Sequence, residues 1–424
     1  MSSTDSLNLK AMIHGFGTAA KAASRTLRTL DRGDKDAALH RMADVLYERR
    51  ETILKANSSD VQAAEATDQD EALVDRLRLD ESRLQGVIEA VRQVAELDDP
   101  VGATLREWSA AQGVRLQKVR VPIGVIGIIY ESRPNVTIDA ATLCFKAGNA
   151  VILRGGSEAI HTNSALAVAL VDALVDQGLH PGCISFVPFT DREGVRHMAE
   201  MDECLDLIIP RGGHKLIETV VSLARMPVLK HYNGVCHVYV DAAADLEMAA
   251  AISENAKVQR PGVCNAMETL LVHRDVAADF LPFHAARLQE LGVEIRGDEA
   301  VCELVPSATP ATAADWPEEY LDLILAVRVV DSLDQATAHI ARYGSSHTEA
   351  IVTEDEEAAE RFLAEVDSST VLWNASTRFA DGGEFGFGAE IGISTDKLHA
   401  RGPMALEELT IYKYVARGTG QVRS

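Results

Sequence analysis

Residues 121–156 read VPIGVIGIIYESRPNVTIDAATLCFKAGNAVILRGG. Two short apolar runs, GVIGII and NAVIL, flank a segment of helical composition, and the second run is followed by Arg154 and the pair Gly155–Gly156. Runs of that length, bounded by turn residues and fully apolar, are the pattern of strands buried on both faces. The texture continues through ISFVP, LDLII and CHVYV, each separated from the next by a helical segment, and this alternation predicts a parallel sheet with helices on its faces.

A second alternating series follows. ETLLV, LILAVRVV, EAIV and TVLWN read as strands, and 277–291, 333–342 and 356–366 as helices, so a second α/β domain is expected. Upstream of residue 100 strands are scarce, and Leu39, Met42, Ala43 and Leu46 recur at helical spacing. The segments 113–120 and 406–423 have the alternating, β-branched character of strands and are expected to form an arm between subunits. No internal repeat or low-complexity tract is present, and the loosest, linker-like piece is 306–314.

The 424 residues, 47% hydrophobic and 25% charged, fit a soluble globular chain of two or three domains. No run approaches the roughly 18–20 apolar residues of a membrane span, and 1–17 lacks the pattern of a cleaved leader, so a cytoplasmic protein is expected. A formal charge of -23 without a basic patch argues against nucleic acid and anionic membranes as partners. The six cysteines are dispersed, with no close pair to form a zinc knuckle or a redox couple, so no metal is expected.

Neither a dinucleotide glycine fingerprint nor a phosphate loop occurs, and the glycines of GEFGFGAEIG have the wrong spacing. The glycine pairs Gly155–Gly156 and Gly212–Gly213 are better candidates for a nucleotide, since each follows an apolar strand, an arginine stands beside each, and backbone N–H groups at helix starts favour phosphate. Each pair alone also reads as an ordinary turn. Cys264, in QRPGVCNAMETLLVH, precedes a buried-strand pattern. A buried structural thiol is the plain reading, but Pro261 and Gly262 imply an irregular turn, and Arg260 would favour a thiolate and an anionic substrate.

From about residue 119 onward the chain resembles the aldehyde dehydrogenase superfamily and, within it, the γ-glutamyl phosphate reductases. The resemblance rests on VPIGVIGIIYESRPNVTIDAA, NAVILRGGSEA, HIARYGSSHTEAIVTED, STRFADGGEFGFGAEIGIST and DKLHARGPMALEELTIYKY, five blocks in one order; the visible misfit is Thr337, where an aliphatic residue is expected. It implies an aldehyde dehydrogenase-like fold: a helical N-terminal region with an NADP-binding α/β domain over 1–235, including 113–122 of a small β oligomerisation arm; a catalytic α/β domain over 236–404; and a C-terminal oligomerisation strand over 405–424.

Residue by residue, the resemblance makes Cys264 the nucleophile and Asn135 an oxyanion donor. Arg154 stands where a lysine usually lies near the adenosine ribose, Ser157 where NAD-preferring members have a glutamate, and Glu319 where a glutamate holds the nicotinamide ribose, so NADPH is the implied cofactor. In LKHYNGVCHVYVD, His231 replaces the glutamate with which ordinary members activate water to hydrolyse the thioester. The implied reaction is reduction of L-glutamate 5-phosphate to L-glutamate 5-semialdehyde, the second step of proline synthesis from glutamate, by a homo-oligomer. Arg133, Arg260, Arg378, Lys397 and Arg401 are the candidate cations for the anionic substrate. Two other readings remain, an oxidising family member with another substrate and a non-catalytic module of the same fold; whether a glutamate 5-kinase hands over the labile substrate is left open.

Overall fold

The computed structural model describes residues 3–67 and 71–423 and divides the chain into two compact units, 1–230 with 386–392 and 404–424, and 231–385 with 393–403. The sequence reading set its domain boundary at 235 and kept the chain between 236 and 404 together; here the segment 386–392 belongs to the first unit.

In the first unit, helices Ser3–Leu27, Arg32–Glu48, Arg50–Glu65, Glu71–Leu77 and Glu81–Glu96 precede any strand. Asp31 and Asp80 cap two of them by accepting backbone N–H groups at Asp34 and Arg83, which satisfies donors that a helix start leaves open. The sheet has the order Ile184–Phe186, Ala150–Arg154, Val125–Tyr130, Leu207–Arg211, all parallel. Every residue of Val125–Tyr130 and Ala150–Arg154 is buried, as expected for strands covered on both faces. Val125–Tyr130 has the following strand on one side and Leu207–Arg211 on the other, so the order reverses there. Crevices at the carboxyl ends of such a reversal are where open α/β sheets hold ligands.

Helix Ile160–Asp176 crosses this unit, and the span Ser157–Asp176 is long and apolar enough to pass for a membrane segment, contrary to the expectation that no run comes near that length. Half of it is buried inside the unit, with Leu166, Leu170 and Leu174 in the core and Asn57 donating to Thr162, which is the pattern of a core helix.

A separate antiparallel sheet joins Thr104–Ser109, Arg115–Pro122 and Thr410–Arg417. The two expected arm segments pair with each other, Thr410 opposite Pro122 and Arg417 opposite Arg115, and Thr104–Ser109 adds a strand the sequence reading did not anticipate. Asn149 ties this sheet's entry to the core by donating to the Leu409 carbonyl (2.8 Å) while accepting from Gly124 N–H (2.9 Å).

The second unit holds a seven-stranded parallel sheet in the order Thr309–Pro310, Glu294–Gly297, Ile324–Val330, Met267–His273, Cys236–Val240, Thr348–Val352, Thr370–Trp373. One apolar cluster packs Val238, Leu270 and Val327 against Phe280 and Leu281 of helix Arg274–Glu290. A second packs Tyr239, Leu271 and Ile351 against Ile340 and Phe362. The presumed linker 306–314 is tethered: Thr309–Pro310 adds an edge strand, and Asp315 accepts from Thr312 N–H and from Arg296.

Candidate active site

In the first unit the glycine pairs lie where the sheet order reverses. The chain leaves Ala150–Arg154 through Gly155–Gly156 into the helical turn Ser157–Ala159, and leaves Leu207–Arg211 through Gly212–Gly213 into helix His214–Leu223. A Cβ on Gly155 would collide with the Asn163 amide and crowd the Tyr130 ring. Those groups are locked in turn: the Thr137 hydroxyl donates to Asn163 (2.9 Å) and so accepts from the buried Tyr130 hydroxyl (2.6 Å). Arg154 is buried, gives one N–H to the Thr190 carbonyl (2.9 Å), and keeps a buried Nε without a hydrogen-bond partner; burial lowers its pKa. Ser157 is exposed.

Two carboxylates occupy this edge, and the sequence reading missed both. Glu131 accepts from Gly213 N–H (3.0 Å) and lies over Gly212, while Glu158 lies against Gly156 and accepts from the backbone N–H (2.5 Å) and hydroxyl of Ser132. The donor at Gly213 expected for phosphate is therefore already engaged by an acid. Asn135 opens helix Asn135–Lys146, exposed, and gives one amide N–H to Asp139 (3.0 Å), whose carboxyl is pushed up to about 6 by burial. Arg133 sits half-buried just before that helix.

In the second unit the notable residues gather at the opposite end of the strands. Gly234 precedes Cys236–Val240, Cys264 precedes Met267–His273, and His347 precedes Thr348–Val352. Cys264 is half-buried in the turn after helix Leu246–Val258. A Cβ on Gly234 would strike the Cys264 carbonyl, so the two backbones touch, and only glycine permits that approach. The same carbonyl accepts from the Cys236 thiol (3.2 Å), and Gly234 N–H donates to Glu319 (2.7 Å). Glu319 is thus joined through one glycine to the Cys264 turn.

Beneath Glu319 lies a buried ion pair, Lys257 with Glu268 at 2.6 Å. Burial raises the Glu268 carboxyl and lowers the Lys257 ammonium. The other Glu268 oxygen accepts from Leu321 N–H (3.1 Å), and Leu321 has a positive φ of 55°. A backbone bend unfavourable for leucine is held there by a buried acid.

His231 Nδ1 lies 2.8 Å from the Ile393 carbonyl. A carbonyl only accepts, so Nδ1 carries the hydrogen and Nε2 of the neutral ring offers a lone pair. One nitrogen each of His231 and His347, with Cys264 Sγ, lie within 4.8 Å of one another. His347 is fully buried, and burial drops its pKa to about 4. Arg378 donates to Gln259 (2.9 Å), and burial, then the neighbouring Arg260, lower its pKa, while Asp381 and Cys264 act in the other direction. Arg260 and Arg378 therefore share the neighbourhood of Cys264. Lys397 and Arg401 instead converge on Asp367, with Arg401 at 2.7 Å.

A profile of the aldehyde dehydrogenase family matches residues 9–315. The chain belongs to the aldehyde dehydrogenase family. Within that family it is 52% identical to the γ-glutamyl phosphate reductase of Geobacter metallireducens over 98% of this chain and 100% of the relative. It is 54% identical to that of Caldanaerobacter subterraneus subsp. tengcongensis over 95% and 98%. The crystal structure of γ-glutamyl phosphate reductase from Thermotoga maritima superposes with a TM-score of 0.95 at 47% identity, covering 97% of this chain and 100% of that one. These similarities place the chain in the γ-glutamyl phosphate reductase branch of the aldehyde dehydrogenase family, among oxidoreductases, as the sequence blocks implied.

Proposed function

We propose that this chain reduces L-glutamate 5-phosphate to L-glutamate 5-semialdehyde with NADPH, through a thioester on Cys264, as the second step of proline synthesis. Cys264 supports this most directly: a half-buried thiol in a turn, with Arg260 and Arg378 in its neighbourhood and the His231 ring close by. The relatives' shared name supplies the substrate.

The Cys264 sulfur, its proton passing to a base such as His231 Nε2, attacks the γ-carbonyl carbon. The carbon–oxygen bond to phosphate breaks, inorganic phosphate departs, and a thioester remains. Arg260 and Arg378 are the cations suited to the phosphate and the α-carboxylate; Lys397 and Arg401 would first have to release Asp367. The oxyanion is assigned to the Cys264 backbone N–H and to Asn135, which keeps a second amide N–H beyond the one given to Asp139. Expulsion of the Cys264 thiolate from the reduced thiohemiacetal releases the semialdehyde.

The first-unit edge suits a dinucleotide: the sheet order reverses there, Gly155 leaves room for close approach, and buried Arg154 has an unpartnered Nε. Arg154, Gly155, Gly156 and Ser157 would hold the adenosine end, with Ser157 leaving space for a 2′-phosphate, and Glu319 would hold the nicotinamide ribose. Gly212 and Gly213 would contribute once Glu131 yields. Bound NADPH supplies the hydride.

The arm supports a homo-oligomer, because Ile411, Tyr412 and Tyr414 are exposed on an edge strand, a surface suited to a second copy. Free cysteines throughout support a reducing, cytoplasmic setting. The deciding experiment is NADPH oxidation on addition of glutamyl phosphate, or the reverse reaction with semialdehyde, phosphate and NADP; an absence of both would overturn the assignment.

A further inference from the structure

The cluster of His231, Cys264 and His347 has more donor capacity than acyl transfer requires. In the neutral ring His231 Nε2 carries a lone pair, because Nδ1 must donate to Ile393, and Ile393 is itself anchored by pairing with Pro403. His347 Nδ1 lies 2.8 Å from the Thr348 hydroxyl, while the Cys236 thiol, the other group near that nitrogen, is engaged by the Cys264 carbonyl. In the tautomer whose Nδ1 donates to the Thr348 hydroxyl, His347 Nε2 is also a lone pair, and that nitrogen is buried without a hydrogen-bond partner among the described residues. Buried polar atoms are rarely left so.

We infer that His231, Cys264 and His347 form a binding site for a thiophilic divalent cation of the zinc class. One thiolate and two imidazoles are a donor set for Zn²⁺ and not for Mg²⁺ or Ca²⁺. Three protein ligands with a fourth position open is a common zinc arrangement, with Zn–S about 2.3 Å and Zn–N about 2.0–2.1 Å. Ligand atoms now within 4.8 Å of one another approach those distances through rotation of the Cys264 side chain, which sits in a turn and not in a strand. The Nδ1 nitrogen of each ring is already held, by the Ile393 carbonyl and the Thr348 hydroxyl, which leaves Nε2 as the ligand atom, as in many metal-bound imidazoles.

Binding displaces the thiol proton and forms a metal–sulfur bond, so metal and acyl group compete for one sulfur. The competition, unlike the binding, rests on Cys264 being the nucleophile.

The test uses the full chain, stripped of metal, in a His14→Ala background that removes the exposed trio His14, Glu203 and Cys204 from contention. Titration with Co²⁺ should give thiolate-to-metal charge-transfer absorption saturating at one equivalent and reversed by Zn²⁺. Cys264→Ser should abolish the absorption, and His231→Gln and His347→Asn should each weaken binding at least tenfold. His231 is half-buried, so its variant serves even if replacement of buried His347 disturbs folding. No charge-transfer absorption, or unchanged affinity in His231→Gln, would overturn the site. NADPH oxidation should fall along the same Zn²⁺ titration; full turnover with the metal bound would instead overturn the competition and the role of Cys264 together.

Discussion

The two parallel sheets present opposite edges. In the first unit the glycine turns leave the carboxyl ends of the strands, where helix starts point their N–H groups outward. In the second, Gly234, Cys264 and His347 enter the amino ends, where helices such as Leu246–Val258 and Leu333–Tyr343 finish and present carbonyls. A backbone rich in donors can cradle phosphate with little help, and here Glu131 already sits on one of those donors, Gly213 N–H, while Glu158 takes the N–H of Ser132. A backbone rich in carbonyls cannot hold an anion. That edge must rely on side chains, and it carries arginines, histidines and a thiol. Nucleotide binding and acyl chemistry should therefore respond to different kinds of substitution.

The largest expected effect is at Cys264. Cys264→Ser should reduce turnover by about 10⁴-fold or more, as loss of a nucleophile does, while NADPH affinity measured by fluorescence stays within about twofold. Retained turnover would remove the amino edge from the chemistry, and a parallel loss of NADPH affinity would show that the two edges are not separable.

Next comes acid. Three buried rings of the second unit are depressed by burial, His284 and His347 to about 4 and His339 to about 3. His339 Nδ1 accepts from Arg328 (2.8 Å), which requires a neutral ring. The unfolded chain binds these protons first, so the stability each ring contributes is complete above about pH 6.5 and is lost as pH falls through the folded value, by at most roughly 3 kcal/mol for His284 and His347 and roughly 5 kcal/mol for His339. Urea unfolding of a Trp108→Phe variant, which leaves Trp316 and Trp373 to report on the second unit, should show the midpoint dropping steadily between about pH 6.5 and 4. A flat profile would mean that these rings are protonated in the fold.

A smaller effect is expected at the carboxyl edge. Ser157→Glu should weaken NADPH about tenfold or more relative to NADH, by like-charge repulsion beside Arg154. Equal weakening of both cofactors would show that this turn does not read the 2′-phosphate. The smallest effect concerns His231→Glu, which should raise the ratio of phosphate released to NADPH oxidised modestly above the wild-type value, after correction for spontaneous breakdown. A wild-type ratio well above one would contradict a protected thioester. The His231 ring lies near Cys264, so under the proposed mechanism loss of the family glutamate changes the kind of base there and does not remove it.

What was legible in the sequence follows the same division. A strand, a glycine pair and a helix start are contiguous, so Gly155–Gly156 and Gly212–Gly213 could be read locally, as could the apolar strands of both sheets. Thr104–Ser109 and Glu294–Gly297 could not, since one is largely exposed and charged, the other is four residues long, and both exist through pairing with distant chain. The amino-edge cluster draws single residues from separate loops. His347 lies inside the stretch HIARYGSSHTEAI, yet nothing in its neighbours signals that its ring lies near Cys264. Glu131 and Glu158 give no signal in the sequence because their partners include backbone N–H groups, which a sequence does not display.

The arm also sets an order of assembly during translation. Arg115–Pro122 pairs at once with nearby Thr104–Ser109 but finds its other neighbour in Thr410–Arg417, and Asn149 waits for Leu409, so the first unit is completed only after residues 404–424 have emerged. Most of the second unit is an uninterrupted stretch, 231–385, free to condense in the interval. At roughly 5–20 residues per second that interval is on the order of tens of seconds, during which Arg115–Pro122 lacks its Thr410–Arg417 neighbour. Premature termination just after residue 403 would therefore leave a nascent chain with a complete second unit and an unpaired strand edge, the kind of species that recruits chaperones or other unfinished chains.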